Sequence, residues 1–206
     1  MSAPSDNVQT STSGPSRPAR GTVVAALAAL GLVSLAALAA AVPATAAGAG
    51  HSHAAGPGAA KVFRGALSDL QPTTVGPLDG ARARLVLAPH HGASTFVLVV
   101  SGVGADGVGH TYGAHLHTGP CVAGNGAVAG PHYNQSTVNG VVPPVVSAQT
   151  EIWLDVTVGP DRGAVAVAHV PFVPAPGTRA IVLHEKATDD HGTAGARLAC
   201  LPVSWS

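Results

Sequence analysis

Histidine stands out among the residue types that could do chemistry, since the chain has eleven histidines in 206 residues against two cysteines and one methionine. Two of them, His115 and His117, are separated by a single leucine. On a β-strand, residues i and i+2 project from the same face, so both imidazoles can reach one metal ion. Such a pair also occurs on ordinary sheet surfaces, so the pair alone leaves both interpretations open.

Two further histidines lie beside turns or strand ends much further along the chain. His132 is in the segment Ala-Gly-Pro-His-Tyr-Asn, and His184 is in Val-Leu-His-Glu-Lys-Ala. Ligands commonly project from such positions. Imidazole nitrogen is a borderline donor that suits copper, zinc, iron and nickel. Together the four histidines predict one metal site.

The N-terminal region has the pattern of an export signal. Residues 1–20 carry only arginine as a basic residue type, residues 21–42 are apolar and uncharged, and Ala44-Thr45-Ala46 follows. This order predicts a signal peptide over residues 1–46, cleaved near Ala46. The apolar run is also long enough for an uncleaved membrane anchor, which is the alternative. Both interpretations place the rest of the chain outside the cytoplasm, secreted or in the cell envelope.

Residues 47–60 are rich in alanine and glycine and predict a flexible linker. His51 and His53 in this linker could capture a metal ion, but a solvated tether with incidental histidines is the favoured interpretation. The folded domain is predicted over residues 61–206.

Cys121 and Cys200 are the only cysteines in the chain. In an oxidising compartment an even pair most often forms a disulfide, whereas a thiolate metal site would need further cysteines nearby. We therefore expect a disulfide that closes a loop of 79 residues. Its contribution to stability would be roughly 4 kcal/mol in the loop-entropy description.

Composition favours short strands over helices, because glycine and proline total 43 residues and charged residues only 10%. The formal net charge is zero, which argues against nucleic acid as a partner. Eight apolar or alternating runs separated by turn residues predict an all-β antiparallel sandwich or closed barrel. The predicted strands are Val62–Leu70, Ala81–Ala88, Ser94–Gly102, Thr111–His117, Glu151–Val158, Gly163–Val170, Arg179–Leu183 and Ala196–Leu201.

The run Glu151–Val158 shows the clearest period of two. Its even-numbered residues are apolar and predict a buried face, while Glu151 and Asp155 fall on the other face. The turn residues at 160–163 then predict a hairpin between this strand and Gly163–Val170.

Four segments, in order, resemble the copper/zinc superoxide dismutases. That family carries Gly-Phe-His-Val-His, Gly-Pro-His-Phe-Asn, Val-His-Glu-Lys-Ala and Gly-x-Arg-Leu-Ala-Cys. Here the matching stretches contain His115 with His117, then His132, then His184, then Arg197 with Cys200. The resemblance implies an eight-stranded Greek-key barrel with these four histidines as copper ligands.

The same resemblance implies two further roles. Arg197 would be the cation that attracts superoxide beside the copper, which suits a guanidinium that stays protonated. The alternative is a surface arginine that is hydrogen-bonded to a loop carbonyl. The Cys121–Cys200 disulfide would brace the loop that carries a ligand. Cys121 lies four residues after His117 and eleven before His132, a spacing that differs from the common family pattern.

The chain lacks the residues with which the family binds zinc. Residues 135–150 contain no histidine, aspartate, glutamate or cysteine, and Thr188 stands where the family has an aspartate that links the two metals. The charged loop of the zinc-bearing members is reduced to a few residues after His191. This pattern resembles the copper-only branch, so we expect one copper ion and no zinc. Glu151 and Asp155 are candidates to orient His132 in place of zinc.

The resulting hypothesis is an extracytoplasmic superoxide dismutase that converts superoxide to O2 and H2O2 at copper. The alternative is a secreted protein that binds or buffers copper on the same barrel without turnover. A cupin-type site is disfavoured, because no glutamate follows the His-x-His pair four or five residues later. We expect no nucleic acid partner and no membrane contact beyond the N-terminal anchor of the alternative interpretation, and the sequence leaves the oligomeric state open.

Overall fold

The structure is a computed structural model that describes residues 58–206. The expected signal peptide, most of the expected linker, and His51 and His53 lie outside the described residues and stay predictions. The first strand begins at Lys61. No helix among the described residues is long and apolar enough to cross a membrane.

Residues 58–206 contain ten β-strands, and each is antiparallel to its neighbours. They are β1 (Lys61–Ala66), β2 (Ser68–Asp69), β3 (Arg82–His90), β4 (Ala93–Ser101), β5 (Thr111–Tyr112), β6 (Ala114–His117), β7 (Val156–Thr157), β8 (Gly163–Val170), β9 (Gly177–His184) and β10 (Arg197–Trp205). Short 3-10 turns cover Ala105–Gly107 and Gly126–Ala129, and a single helical turn, α1, covers Gln135–Val138.

Eight of these strands form two four-stranded sheets. The first has the order β1-β3-β4-β8 and the second has the order β2-β10-β9-β6, while β5 and β7 pair separately. Neighbours such as β4 and β8, or β6 and β9, are far apart in sequence, as Greek-key connections require. Leu85 and Phe96 of the first sheet and Leu183 and Leu201 of the second are buried in one shared core. The predicted all-β, eight-stranded antiparallel Greek-key sandwich is therefore confirmed.

Buried and more exposed residues alternate along the strands of the first sheet, which gives that sheet one face towards the core. In β3 the residues Ala83, Leu85 and Leu87 are buried, whereas Arg82 and Arg84, which alternate with them, are exposed and Val86 is half-buried. The β3–β4 hairpin turns at His91 and Gly92, whose φ angles are 48° and 80°. Two consecutive positive φ angles match the twist of the flanking strands, and glycine adopts that conformation without strain.

The run 151–158 is only partly the strand that was predicted. Its apolar side chains are buried as expected, from Ile152 to Val158, but the regular strand is limited to β7. Glu151, on the opposite face, is also buried. The reason is that the segment forms isolated bridges with Asn134 and with His115, which turn the glutamate towards polar partners.

The predicted hairpin between this run and β8 is wrong. A turn is present, since the Arg162 N–H donates to the Gly159 carbonyl. However, β7 pairs with β5, and β8 pairs with β4. The turn therefore passes the chain from one sheet to another instead of closing a hairpin. In the same way, the predicted strand 62–70 divides at Leu67 into β1 and β2, which belong to different sheets.

Cys121 and Cys200 form a disulfide, with their Cα atoms 5.7 Å apart. It joins β10 to the loop that follows β6. Beneath it lies a second, smaller apolar cluster that includes Leu70, Ala129 and Val182. This cluster lies on the face of the second sheet opposite the main core, so the loop after β6 covers that face.

Removing the disulfide should destabilise the fold by about 4 kcal/mol, because the unfolded chain regains the entropy of a 79-residue loop. The double variant Cys121→Ala/Cys200→Ala would be compared with the oxidised chain by urea unfolding. Reduced wild-type chain is the matched control and should behave like the variant. An unfolding free energy within about 1 kcal/mol of the oxidised chain would contradict the expectation.

Candidate metal centre

β6 positions the first two candidate ligands. Ala114 and Leu116 point into the main core, so His115 and His117 point to the opposite face of the second sheet. Both imidazoles are fully buried at 0% exposure. The expectation that the pair shares one face is met, and the loops on that face cover it.

Backbone hydrogen bonds bring the other two histidines to the same place. The segment around His132 runs antiparallel beside β6, because the Tyr133 N–H donates to the Leu116 carbonyl and His132 bridges to His117. His184 ends β9, the neighbour of β6, and its N–H donates to the Gly113 carbonyl.

The four predicted histidines form one cluster. Each contributes a nitrogen, and these nitrogens all lie within 4.8 Å of one another. His132 is the most accessible member, with 19% of its side chain exposed, and His184 is 4% exposed. Within residues 58–206 this is the only group of three or more histidine, cysteine or acidic residues close enough to hold a metal ion.

In His117 and His184 the outer ring nitrogen is Nδ1, which contacts a carbonyl outside the cluster. This contact determines which nitrogen of each ring carries the proton. The Nδ1 of His117 lies 2.9 Å from the Gly130 carbonyl, and the Nδ1 of His184 lies 3.1 Å from the Gly195 carbonyl. A carbonyl only accepts, so each Nδ1 carries the proton. The two Nε2 atoms then face each other, unprotonated, at 3.2 Å. This contact brings two lone pairs together, and a bound cation would relieve their repulsion.

Glu151 fixes the ring of His132. Its Oε2 accepts from His132 Nδ1 at 3.0 Å and from Trp153 Nε1 at 2.9 Å, and its Oε1 accepts from Asn134 Nδ2 at 3.0 Å. Burial alone would raise the pKa of Glu151, but the three hydrogen bonds outweigh it and hold the pKa below its ordinary value. The sequence-based assignment of Glu151 to this orienting role is supported by this contact.

Asp155 does not contact His132, so its assignment to that role was wrong. Its carboxylate instead accepts from the Thr188 backbone N–H and hydroxyl. The Thr188 hydroxyl in turn lies 2.8 Å from His115 Nε2. Sequence reasoning identified Thr188 only as a replaced aspartate, and no sequence signal pairs it with a residue 33 positions earlier.

His115 Nδ1 is a nitrogen of the cluster that no hydrogen bond accounts for. It is buried and has no hydrogen-bond partner. Buried polar atoms are rarely left unpaired, and a metal ion would satisfy this one. The donor set would thus be Nδ1 of His115 and Nε2 of the other three histidines, a set that fits copper and other borderline metals.

Burial also keeps the imidazoles of His115, His117 and His184 neutral, which metal ligands require. Desolvation, assisted by the neighbouring histidines, lowers the pKa of His115 to about 2. Desolvation likewise lowers the pKa of His117 to about 3 and that of His184 to about 4, although the carbonyls of Gly130 and Gly195 partly oppose it.

Arg197 lies beside the cluster. It is the register partner of His184 across β9 and β10, and its charge further lowers the pKa values of His117 and His184. Its Nη1 donates to the Gly126 carbonyl at 2.6 Å and its Nη2 to the Gly130 carbonyl at 2.7 Å. The Gly130 carbonyl therefore accepts from both Arg197 and His117, which ties their positions together.

The remaining histidines of residues 58–206 lie outside the cluster. His110 Nε2 is 2.7 Å from the Glu185 carbonyl, and His169 Nδ1 is 2.9 Å from the Thr95 hydroxyl. His90 and His91 flank the β3–β4 turn, and His191 is exposed beside Asp190.

Residues 135–150, which lack zinc ligands, are ordered by Asn134. Its side-chain oxygen accepts from the N–H groups of Ser136 and Thr137 and caps α1. Its amide nitrogen donates to the Val145 carbonyl and to Glu151. A side-chain amide thus joins this loop to the residue that orients His132.

No model of a known protein family and no curated protein matches the chain. Among solved structures, the clock protein EA4 is similar, with 18% identity and a TM-score of 0.49 over 76% of this chain and 99% of that one. A double mutant of a SOD-like protein from Bacillus subtilis is also similar, with 20% identity and a TM-score of 0.48 over 69% of this chain and 97% of that one. Likenesses of this size do not indicate a function.

The metal-free protein should lose stability as the pH falls from 7 to 5. His115, His117 and His184 stay neutral in the folded state, with pKa values of about 2, 3 and 4. They take up protons on unfolding, since a free imidazole has a pKa near 6.5. The unfolded state then binds more protons, so each such histidine lowers the unfolding free energy by about 1.4 kcal/mol per pH unit below 6.5.

Urea unfolding of the metal-free chain at several pH values measures this slope. His117→Gln should reduce the slope by about one proton. His191→Gln, at an exposed position, should leave it unchanged. A wild-type unfolding free energy that stays constant between pH 7 and 5 would contradict the account of the buried neutral histidines.

Glu151→Gln should destabilise the protein by about 1–3 kcal/mol, because an amide offers one acceptor oxygen where three donors converge. At least one buried donor would lose its partner. Glu185→Gln makes the same change at an exposed position and should be nearly neutral. Equal urea midpoints for the two variants at pH 7 would show that the three hydrogen bonds do not depend on the carboxylate.

Proposed function

We propose that this chain is an extracytoplasmic superoxide dismutase that uses one copper ion and no zinc. The observation that carries the proposal is the convergence of four imidazole nitrogens, which all lie within 4.8 Å of one another. Each outer ring nitrogen is held by an oxygen, and one inner nitrogen, His115 Nδ1, has no partner. The ordered motifs that resemble the copper/zinc superoxide dismutases support the same assignment.

The residues around the cluster favour copper alone. Glu151 holds His132 Nδ1, the nitrogen through which that ring would otherwise be oriented by a second metal. Copper in this site would supply one-electron chemistry, in which one superoxide is oxidised to O2 and a second is reduced and takes up two protons to give H2O2. The protein holds the ligands in one tautomer and one orientation, so little rearrangement is needed.

Arg197 is the residue that distinguishes an enzyme from a copper store in this proposal. A store needs ligands, whereas turnover of a small anion also benefits from a fixed cation beside the metal. Two N–H groups of Arg197 are engaged with the carbonyls of Gly126 and Gly130. A guanidinium has five N–H donors, so others stay available to an anion. Arg197 also lines an open depression together with Gln71 and Gly126.

The disulfide supports the proposed location. Disulfides persist in oxidising spaces such as the periplasm and the exterior of the cell. The Cys121–Cys200 bond fits secretion or the cell envelope, which the N-terminal sequence pattern also predicts.

Superoxide disproportionation by the oxidised chain loaded with copper alone tests the proposal. We expect fast turnover that zinc does not increase and that His117→Ala abolishes, because the variant loses one of the four ligands. The exposed-site variant His191→Ala is the matched control and should keep full activity. Stoichiometric copper uptake with activity no better than free copper would overturn the enzyme proposal and leave a copper-binding protein.

Arg197→Gln should lower kcat/KM by about tenfold or more at low salt and weaken its salt dependence, since the attracting charge is lost. Arg197→Lys keeps the charge but loses the fork that reaches two carbonyls. If the charge matters most, the lysine variant should recover much of the activity. If both variants lose activity and unfold equally early, Arg197 acts only by bracing the loop.

A further inference from the structure

A chain of two hydrogen bonds runs from His115 to a carboxylate outside the cluster. His115 Nε2 is 2.8 Å from the Thr188 hydroxyl, which is 2.5 Å from Asp155 Oδ1. Asp155 Oδ2 accepts the Thr188 backbone N–H at 2.7 Å. Both oxygens of one carboxylate are therefore held by one residue, and the hydroxyl lies between the carboxylate and the imidazole.

The backbone around Thr188 is held tightly against the start of β6. Gly113 donates its N–H to the Lys186 carbonyl at 2.7 Å. A Cβ at Gly113 would come within 2.6 Å of Ala194 Cβ and 3.0 Å of the Thr188 hydroxyl. Only glycine allows this close approach, so the position of the hydroxyl is set by packing as well as by Asp155.

The direction of these hydrogen bonds follows from counting protons. A carboxylate only accepts, so the single proton of the Thr188 hydroxyl lies on the Asp155 side. The hydroxyl oxygen can then only accept from His115, which places the proton of that imidazole on Nε2. Nδ1 is left unprotonated, in agreement with its lack of a partner.

The neighbouring histidines would favour a proton on His115 Nδ1, and the hydrogen bonds of Thr188 and Asp155 oppose this. The rings of His115 and His132 are 3.9 Å apart, and the carbonyls that hold Nδ1 of His117 and of His184 leave the Nε2 atoms of these two rings unprotonated. In the metal-free protein a proton on His115 Nδ1 would be attracted by these lone pairs. Such a proton would block the atom that the proposed metal site needs.

We propose that Thr188 and Asp155 are positioning residues that keep the proton of His115 on Nε2 and so reserve Nδ1 for the metal. The assignment of Nδ1 to a metal rests on the proposed function, whereas the tautomer itself is a property of the metal-free chain. Asp155→Asn should reverse the chain of hydrogen bonds. The asparagine oxygen accepts the Thr188 backbone N–H, and its NH2 group donates to the hydroxyl, which then donates to His115 Nε2. The proton of His115 moves to Nδ1.

Nitrogen-15 NMR of the metal-free, oxidised chain at pH 7 measures the tautomer of each histidine directly. We expect the Nε2–H form for His115 in the wild type and in Thr188→Ser, which keeps the hydroxyl. We expect the Nδ1–H form in Asp155→Asn. Asp190→Asn removes a charge at an exposed position near His191 and should match the wild type.

Copper binding gives the second readout. Asp155→Asn should weaken Cu(II) affinity by about 10–100-fold, the usual effect of losing a group that orients a metal ligand. Thr188→Ser and Asp190→Asn should bind like the wild type. Thr188→Val, which removes the hydroxyl at nearly constant shape, tests the same link if Asp155→Asn does not fold. In that variant His115 should no longer be held in one tautomer.

Two results would overturn the inference: the Nδ1–H form of His115 in the wild type, or an unchanged Nε2–H form in both Asp155→Asn and Thr188→Val. Failure of the proposed function gives a different pattern. In that case the tautomers change as expected in the metal-free variants, but the wild type binds no copper or shows no turnover. The positioning of His115 by Thr188 and Asp155 would then be supported, although the proposed enzyme activity would be overturned.

Discussion

The structure depends on one electrostatic constraint, the convergence of four imidazole nitrogens within 4.8 Å of one another in a largely buried space. Nε2 of His117 and Nε2 of His184 are only 3.2 Å apart, and in a neutral ring a proton on Nε2 would have to leave Nδ1 and break its bond to a carbonyl. Neutral rings are required there because desolvation makes a second proton costly. The surrounding oxygens of Gly130, Glu151 and Gly195 accept hydrogen bonds from the outer ring nitrogens. The lone pairs of the inner nitrogens therefore point towards one another. A cation at the centre would convert this repulsion into binding.

The fold supplies that confinement by using both faces of one sheet. Along β6, Ala114 and Leu116 pack into the shared core, while the histidines between and after them face the covering loops. The disulfide and Arg197 both fasten the loop after β6 to β10. Because the Gly130 carbonyl accepts from His117 and from Arg197, the same contact orients a candidate ligand and places the cation beside it.

Much of this was predictable from local patterns. The His-x-His spacing placed two imidazoles on one face, and the alternation of apolar residues identified most strands. The failures concern long-range geometry: the turn near Arg162 changes sheets, and Asp155 binds Thr188 instead of His132. The Asp155–Thr188 contact joins residues 33 positions apart and depends on how closely the chain passes Gly113. No spacing rule reports such a contact, because it is set by packing between elements.

A crystal structure of the chain with one equivalent of copper, with the metal located by anomalous scattering, tests the central claim most directly. The account predicts one ion bound by Nδ1 of His115 and by Nε2 of His117, His132 and His184, with Glu151 still bound to His132. A copper ion held elsewhere would contradict it. So would a cluster that stays empty while the imidazole nitrogens remain within hydrogen-bond distance of one another.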